Sequence, residues 1–331
     1  MTAAGRTVGV VSPGIMGSAL GAALRRGGAR VLATTAGRSA RTTRLAERAG
    51  LELVADLDEV VQNSAVLLSV VPPQHARAIA ADLVERACRL QVGVTLVDLN
   101  AITPVDVAGM EALAVDAHVD FVDGAVSGAP PDPHGPTTRI LLSGPTAAGI
   151  AELPWTDVEV SVVGPKAGSA SAAKMCTGGV RKGVTALVIQ ALLTAAEYGV
   201  LEPVEAELRR ALQRDPLTEA ELAASKAWRF VPEMDAVADT QEAAGLDPAT
   251  FRAIADVFRR TATSPLARRQ PEDVDRDVDL ADADIAAARR AAVAAGLVPT
   301  PEAASTGSAG DPAGSGRPTA PSSDRRPDLS R

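Results

Sequence analysis

The sequence predicts an α/β fold in which a mostly parallel β-sheet is followed by an all-α C-terminal domain. Up to about residue 113, short apolar runs alternate with helical patterns, as in βαβ units whose sheet is buried on both faces. From Gly164 to about residue 298, apolar residues recur at helical spacing instead. The 331 residues suffice for two domains, and we expect residues 1–164 to form the first and residues 165–298 the second.

In the first domain the expected elements alternate along the chain. The expected strands are Thr7–Val11, Arg30–Thr35, Leu51–Val54, Ala65–Val71 and Thr95–Leu99. The expected helices between and after them are Met16–Arg26, Arg41–Ala49, Asp58–Gln62, Gln74–Ala87 and Pro104–Leu113. Three later strands with little helix between them predict an extended or mixed edge of the same sheet: Asp120–Val126, Arg139–Ser143 and Glu159–Val163.

The second domain is expected to begin with a long helix that links it to the first. At 1.5 Å per residue this helix, Ala167–Tyr198, would be about 45 Å long. It is apolar on nearly every side from Val184 to Ala196, which predicts burial. Residues 299–331 are rich in Pro, Gly, Ser and Ala, and they predict a disordered tail. The other expected helices are Glu202–Gln213, Thr218–Ala244, Pro248–Ala262 and Ala281–Ala294.

Composition and charge argue against several classes of function. A net charge of −8 and 2% aromatic residues disfavour a nucleic-acid partner. The two cysteines, Cys88 and Cys176, match no disulfide framework, which suits a reducing, cytoplasmic location. No set of His, Cys and carboxylate residues has metal-ligand spacing, so we expect no metal. The N-terminus lacks a signal-peptide pattern, and no apolar run of about 20 residues is free of charge and glycine, so we expect no membrane partner.

A glycine-containing turn follows the first strand. The residues Ser12-Pro13-Gly14-Ile15-Met16-Gly17 stand where dinucleotide-binding proteins place a pyrophosphate against the N-terminus of a helix. Ser12 occupies the first glycine position, so a purely structural turn remains the alternative. As the first βα turn of an alternating chain, it favours a Rossmann-type domain that binds a nicotinamide cofactor through Ser12, Gly14, Ile15, Met16 and Gly17.

The end of the second strand bears on the choice between NAD and NADP. An acidic residue there would favour NAD through the ribose 2′-hydroxyl, but the strand ends in Thr34-Thr35. Arg38 and Ser39 follow and are suited to bind the 2′-phosphate of NADP. We therefore expect NADP, with NAD possible and a solvated basic turn as the alternative.

These motifs resemble the superfamily of 3-hydroxyisobutyrate dehydrogenase and 6-phosphogluconate dehydrogenase. The resemblance covers Val8–Gly199, and two further segments, 174–183 and 229–238, resemble a poorly characterised subgroup with its own C-terminal helical domain. The family's D-x-S-T-x-x-P carries Asn100-Ala101 here in place of Ser-Thr. The corresponding segments are the glycine turn, the loop Val70–Pro73 after the fourth strand, Asp98–Pro104, the substrate loop Asp123–Ala129, and the lysine motif around Gly164, Lys174 and Gly178.

The resemblance implies hydride transfer between the nicotinamide and a small β-hydroxy acid or its keto counterpart. Lys174 is then the general acid/base, a role that needs a pKa lowered towards neutrality by burial and by the neighbouring cations Arg181 and Lys182. Ser127 and Gly128 are expected to hold the substrate carboxylate through a hydroxyl and backbone N–H groups. Asn100 is expected to bind the substrate or nicotinamide region. Val71 and Pro72 are expected to lie beside the cofactor.

Two positions depart from relatives that decarboxylate a sugar-acid phosphate. Those relatives carry an asparagine four residues and a glutamate seven residues after the lysine, where this chain has Gly178 and Arg181. We therefore do not expect decarboxylation of 6-phosphogluconate. Arg181 instead adds positive charge suited to a second anionic group on a small anionic substrate.

Two other functions remain open. Imine reductases share this architecture but usually lack a lysine at this position, so Lys174 favours hydroxy-acid or carbonyl chemistry. A non-catalytic nucleotide-binding sensor is favoured by the departures at Ser12, Asn100-Ala101 and Gly178. Because relatives are dimers or tetramers, the resemblance also implies a homodimer through the C-terminal helices.

Overall fold

The computed structural model describes residues 6–274 and 283–298, and its first domain is built on one eight-stranded sheet. The strand order is β3-β2-β1-β4-β5-β6-β7-β8. All neighbouring strands are parallel except β6 and β7, which are antiparallel. This confirms the predicted mostly parallel sheet with a mixed edge. The strands are β1 (Thr7–Val11), β2 (Arg30–Ala33), β3 (Glu52–Leu53), β4 (Val66–Ser69), β5 (Thr95–Asp98), β6 (Asp120–Ser127), β7 (Thr138–Ser143) and β8 (Val158–Gly164).

Helices cover both faces of this sheet, and short polar side chains fix where several of them begin. Asp56 accepts a hydrogen bond from Glu59 N (2.9 Å) ahead of α3, and Thr103 accepts one from Asp106 N (3.0 Å) ahead of α5. The short helix α6 is not predicted from the sequence because five residues are too few to show a period. The helices of this domain are α1 (Ile15–Arg26), α2 (Ala40–Arg48), α3 (Leu57–Gln62), α4 (Ala76–Leu90), α5 (Pro104–Asp116) and α6 (Ala147–Ala151).

Two apolar clusters hold the helices against the sheet. Successive strand residues point to opposite faces, so Leu67 belongs to one cluster and Leu68 to the other. Leu96 and Val97 divide in the same way. Burial on both faces explains why these strands read as continuous apolar runs in the sequence.

The carboxyl ends of the parallel strands share one edge of the sheet. The strand order reverses between β1 and β4, the position at which doubly wound sheets open a ligand crevice. The turns and loops after β1, β4, β5 and β6 therefore lie along one edge. They carry the residues predicted to bind the cofactor and substrate.

The C-terminal part is helical, as predicted, but one of its predicted helices is wrong. The range Thr218–Ala244 forms two helices separated by a turn at Ser225 and Lys226. The Ser225 hydroxyl donates to Leu222 O (3.0 Å) and Lys226 N donates to Ala223 O (3.1 Å), and these tight bonds end the first helix. The helices are α7 (Ser169–Glu197), α8 (Leu201–Leu212), α9 (Pro216–Ala224), α10 (Ala227–Ala243), α11 (Ala249–Thr261) and α12 (Ala283–Leu297).

Helix α7 contacts both the sheet and the C-terminal helices, and it spans about 43 Å at 1.5 Å per residue. Met175, Ile189 and Leu192 lie in the apolar cluster of the helical domain. The expectation that the helix is buried on nearly every side is wrong for one face, because the Leu187 side chain is 67% exposed. By length and composition α7 is also apolar enough to cross a membrane, but 44% of its most apolar window is buried inside the protein.

The end of the chain departs slightly from the sequence prediction. Helix α12 ends at Leu297, whereas the predicted helix ended at Ala294. The predicted disordered tail, residues 299–331, lies outside the described residues.

Candidate active site

The turn after β1 has a backbone suited to a dinucleotide site. Ser12 adopts a φ of +68°, the left-handed conformation that glycine usually provides. A serine can thus fill the first glycine position, at a conformational cost of about 1–2 kcal/mol. The Ser18 hydroxyl donates to Pro13 O (2.7 Å) and holds the turn against the start of α1.

Open space and backbone donors meet at the N-terminus of α1. A Cβ built on Gly14 would have no atom within 4 Å, whereas one on Gly17 would lie 2.6 Å from Ser12 O. Glycine at position 17 thus lets the helix pack against the turn, and the space over Gly14 remains open. Helix α1 has no side-chain N-cap, so its first N–H groups can bind an anion. The residues present therefore fit the pyrophosphate of a nicotinamide dinucleotide.

An exposed arginine and a helix N-terminus lie together at the tip of β2. Arg38 N donates to Thr35 O (2.9 Å) in a tight turn, and the Arg38 side chain is exposed. Ser39 is the N-cap of α2, where its hydroxyl accepts a hydrogen bond from Thr42 N (3.3 Å). A phosphate at this point would meet a guanidinium and a helix N-terminus.

Asn100 is occupied by hydrogen bonds within the protein. Its Oδ1 accepts from Val71 N (2.8 Å), and its Nδ2 donates to Asp98 Oδ1 (2.5 Å) and Ser69 Oγ (3.2 Å). The residue is only 3% exposed. These contacts use both amide N–H groups, so the geometry favours a positioning role over the predicted direct contact with a ligand. Asn100 ties the end of β5 to the loop that carries Val71 and Pro72.

Two buried carboxyl groups lie side by side at the ends of β5 and β6. Asp98 and Asp123 are register partners, and both are fully buried. Burial raises the pKa of Asp98 to about 7. Its hydrogen bonds with Asn100 oppose that rise, and the charge of Asp123 adds to it.

Asp123 fixes the start of α7. Its Oδ2 accepts hydrogen bonds from Ser143 Oγ (2.8 Å), Gly168 N (2.9 Å) and Ser171 N (3.0 Å). Its Oδ1 accepts from the Ser171 hydroxyl (2.6 Å). A carboxylate at a helix N-terminus also interacts favourably with the helix dipole. The first turn of α7 is therefore anchored to β6 and β7.

This anchor places Lys174 over the carboxyl end of β6. Its Nζ donates to Val126 O (2.8 Å) and lies 3.4 Å from Ser127 Oγ. Gly128 follows with a φ of +110°, a conformation that requires glycine. The structure thus brings together the lysine, the hydroxyl and the glycine turn that the sequence assigned to proton transfer and carboxylate binding.

The surroundings of Lys174 lower the pKa of its amine. Burial lowers the pKa of Lys174 to about 8. That value already includes the neighbouring charges, of which Lys182 and Arg181 lower the pKa and Glu233 on α10 raises it. The lysine therefore exchanges its proton near neutral pH, as a general acid/base must.

Lys182, a neighbouring cation that the sequence predicted to lower this pKa, lies against Glu233 and Phe230, which the sequence did not assign to the site. Lys182 Nζ is 2.9 Å from Glu233 Oε2 and 5.0 Å from the centroid of the Phe230 ring. The predicted substrate residue Arg181, in contrast, is exposed. Lys182 shares a helix face with Lys174, which was the available signal. The other two come from α10, whose position the sequence does not give.

A cleft of about 570 Å³ flanks the glycine turn. Ile15 and Ala19 of α1 line one side, and the loop of residues 129–136 lines the other. His134 lies in this loop and is exposed, and its backbone N donates to Asp132 Oδ1 (2.8 Å). Within the described part of the chain, no group of three or more His, Cys, Asp or Glu side chains is placed to hold a metal ion.

Two protein families match the chain in order. Residues 7–151 match the NAD binding domain of 6-phosphogluconate dehydrogenase, which covers the sheet up to β7 and the glycine turn. Residues 195–261 match a domain of unknown function, DUF1932, which covers α8 to α11. The second match agrees with the predicted subgroup.

A curated relative matches over part of its length. It is an uncharacterized 28.5 kDa protein in the 7S RNA 5′ region of Methanothermus fervidus, 26% identical over 166 residues. The match covers 50% of this chain and 62% of the relative, which is less than two thirds of its length.

Solved structures share the fold. The conserved protein MTH1747, of unknown function and described as similar to 3-hydroxyacid dehydrogenases, is 28% identical with a TM-score of 0.60, over 77% of this chain and 96% of that chain. A 3-hydroxyisobutyrate dehydrogenase of Mycobacterium tuberculosis, solved with L-serine, is 18% identical with a TM-score of 0.64, over 83% and 98%. An imine reductase variant from Myxococcus stipitatus, in complex with NAD+, is 20% identical with a TM-score of 0.52, over 77% and 92%.

At 18% and 20% identity, the last two structures show only that the fold is shared. The family matches add the order of the domains, with an NAD-binding domain ahead of a distinct helical one. These matches support the predicted resemblance of the chain to the superfamily of 3-hydroxyisobutyrate dehydrogenase- and 6-phosphogluconate dehydrogenase-like NAD(P)-dependent oxidoreductases, and to a poorly characterised subgroup with its own C-terminal helical domain.

Proposed function

We propose that the chain is an NADP-dependent oxidoreductase that transfers a hydride between the nicotinamide and a small β-hydroxy acid or its keto counterpart. The observation that carries this proposal is the position of Lys174. Its half-buried amine, with a pKa of about 8, lies at the end of β6 on the same sheet edge as the glycine turn. A group that titrates near neutrality can serve as general base in one direction and general acid in the other.

The chain's own residues bind the substrate and move one proton. Ser127 Oγ and the N–H groups around Gly128 hold the substrate carboxylate. For oxidation, neutral Lys174 takes the proton of the β-hydroxyl, and for reduction its ammonium returns a proton to the carbonyl oxygen. The nicotinamide, when bound, takes or supplies the hydride.

The proton-transfer role predicts a specific loss in the variant Lys174→Ala. We expect turnover to fall by at least ~100-fold, because a positioned acid/base contributes about that much. NADPH binding, followed by cofactor fluorescence, should stay within about twofold. In the native protein, kcat/KM for oxidation should rise with pH through about 8, where Lys174 loses its proton.

The control is Lys166→Ala, which removes an exposed lysine from the loop before α7. It should keep native turnover and the native pH profile. Unchanged turnover in Lys174→Ala would refute the assignment.

The cofactor proposal divides the sheet edge into three parts. Ser12 to Gly17 hold the pyrophosphate, and Val71 and Pro72 flank the nicotinamide ribose. Arg38 and Ser39 bind the 2′-phosphate. The support is the open space over Gly14 and the exposed guanidinium beside the N-terminus of α2.

The preference for NADP predicts the behaviour of Arg38→Ala. The dissociation constant for NADPH should rise by about 10-fold, the equivalent of one charge-assisted contact, while that for NADH stays unchanged. Arg48→Ala, at the other end of α2, is the matched control. Equal effects of Arg38→Ala on both cofactors would contradict the proposed role.

Turnover assays on the native protein distinguish the proposed activity from two alternatives. Reduction of cyclic imines without turnover of any β-hydroxy or β-keto acid would replace the proposed activity with an imine reductase. Cofactor binding without turnover of either class would indicate a nucleotide-binding sensor. Lys174 favours the hydroxy acid over both.

We propose that the protein is cytoplasmic and that it forms a homodimer. Cys88 and Cys176 are free thiols, which suits a reducing compartment. Val180, Leu187 and Tyr198 are exposed along one face of α7, and a second copy would cover them. Sedimentation equilibrium, compared with the variant Leu187→Lys, tests this arrangement.

A further inference from the structure

We propose that Lys182 binds a second carboxylate of the substrate, so that the site prefers dianionic β-hydroxy acids. The inference rests on the proposed function and narrows it to a substrate class and one further binding residue.

The position of Lys182 follows from a missing side chain on α7. Gly178 lies one turn after Lys174 and one turn before Lys182 on the same helix face. A Cβ built on Gly178 would lie 3.9 Å from Lys182 Nζ, and it would have no other neighbour within 4 Å outside the nearby helix backbone. The Lys182 side chain therefore folds back towards Lys174, over a notch that no side chain fills.

Two groups of α10 hold the ammonium in that place. Glu233 pairs with it at 2.9 Å, and the two side chains are only 16% and 18% exposed. The Phe230 ring lies 5.0 Å away and adds a cation–π contact. An ammonium has three N–H donors, so donors remain for a ligand that enters the notch over Gly178.

The balance of charge leaves room for a second anion. Of the charged groups that shift the pKa of Lys174, Lys182 and Arg181 are cations and Glu233 is the one anion, while the first carboxylate is assigned to Ser127 and Gly128. The exposed Arg181 is screened by solvent, so its contact with an anion is weak. Lys182 is shielded from solvent, and it lowers the pKa of Lys174 more than Arg181 does.

The experiment compares two acids that differ by one carboxylate. 3-Hydroxybutyrate and 3-hydroxyglutarate are measured with NADP at pH 9, where Lys174 is mostly neutral. We expect the native protein to prefer 3-hydroxyglutarate by at least ~10-fold in kcat/KM. Lys182→Met should abolish this preference through KM, with NADPH binding unchanged. Lys182→Gln provides a second variant if Lys182→Met does not fold, and Lys166→Met is the control that keeps the preference.

A compensating substitution tests the geometry. Gly178→Asn in the Lys182→Met protein places an amide donor in the space vacated by the ammonium, and it should restore part of the preference. The inference would be overturned if the native protein showed no preference for 3-hydroxyglutarate. It would also be overturned if Lys182→Met and Lys182→Gln kept that preference, or if Arg181→Met by itself lost it. In each case the proposed function would stand. Absence of turnover with any β-hydroxy acid would instead overturn the proposed function, and this inference with it.

Discussion

Two ionisable groups near the ends of β5 and β6, the buried Asp98 and the half-buried Lys174, titrate close to neutral pH. Burial disfavours charge on both, so it raises the pKa of Asp98 to about 7 and lowers that of Lys174 to about 8. As the pH rises from 6 to 9, Asp98 first gains a negative charge, and Lys174 then loses a positive one. The titration of Asp98 affects stability and that of Lys174 affects catalysis, so the two effects of pH can be measured separately.

The raised pKa of Asp98 predicts a pH-dependent loss of stability. In the folded state the proton is held up to a pKa of about 7, whereas the unfolded value is 3.8. The stabilisation is complete below the unfolded pKa and is lost as pH rises through about 7. Between these two pKa values, the free energy of unfolding of the native protein should fall by up to about 1.4 kcal/mol per pH unit because of Asp98. Asp98→Asn should remove this pH dependence.

Urea unfolding of the native protein and Asp98→Asn at pH 5, 6, 7 and 8 measures this effect. Any pH-independent cost of the substitution shifts the whole profile and leaves its slope unchanged. The slopes should differ at pH 5 and 6 and converge at pH 8. Parallel profiles across the range would contradict the raised pKa.

The sequence identified most of the residues that meet at the site but not all of their contacts. The lysine, the serine and the glycine turns come from motifs at strand ends, and the topology of a parallel sheet brings such positions together. Asn100 shows what a motif cannot give. Its position at the edge was predicted, but the hydrogen bonds that occupy its amide depend on Ser69 and Val71, which belong to another strand and loop.

Among the elements, α7 depends on one carboxylate for its placement. Asp123 receives three hydrogen bonds on Oδ2 and one on Oδ1, from β7 and from the start of α7. An asparagine would present an N–H₂ group to some of these donors. Asp123→Asn should therefore lower the free energy of unfolding by at least about 3 kcal/mol, because buried donors lose their acceptor.

Asp120→Asn, at the exposed start of the same strand, is the matched control and should change stability by less than about 0.5 kcal/mol. Both variants are compared by urea unfolding at pH 7.5. A stability of Asp123→Asn close to that of Asp120→Asn would show that α7 is held by its apolar contacts alone.

Predicting the elements from sequence failed where local signals were absent. The turn between α9 and α10 contains neither glycine nor proline, so the apolar period reads through it. The error matters for the site, because α10 carries Phe230 and Glu233 to Lys182. Its direction depends on packing against α7 and α11, which a single sequence does not show.

At the scale of the whole molecule, charged contacts as well as an apolar cluster hold the C-terminal helices to one another. Helix α12 buries few large side chains, and its Arg289 reaches across to α9 and the residue before it. The guanidinium lies 3.1 Å from Asp215 and 3.0 Å from Glu221, and it donates to the Thr218 hydroxyl at 2.6 Å. The Arg289 and Glu221 side chains are 10% and 9% exposed, so solvent screens this pair little.

Removing this arginine should loosen α12 from the domain. Arg289→Met keeps most of the aliphatic length but leaves nearly buried carboxylates with fewer partners, for an expected loss of about 3 kcal/mol in the free energy of unfolding. Arg210→Met is the matched control, because Arg210 and its partner Glu207 are 77% and 69% exposed and such pairs contribute at most about 0.5 kcal/mol. Urea unfolding and amide hydrogen exchange measure the two variants. Exchange in Arg289→Met should quicken first in α12 and α9, while the sheet keeps its protection. A loss spread evenly over both domains would show that the contact supports the whole fold rather than the attachment of α12.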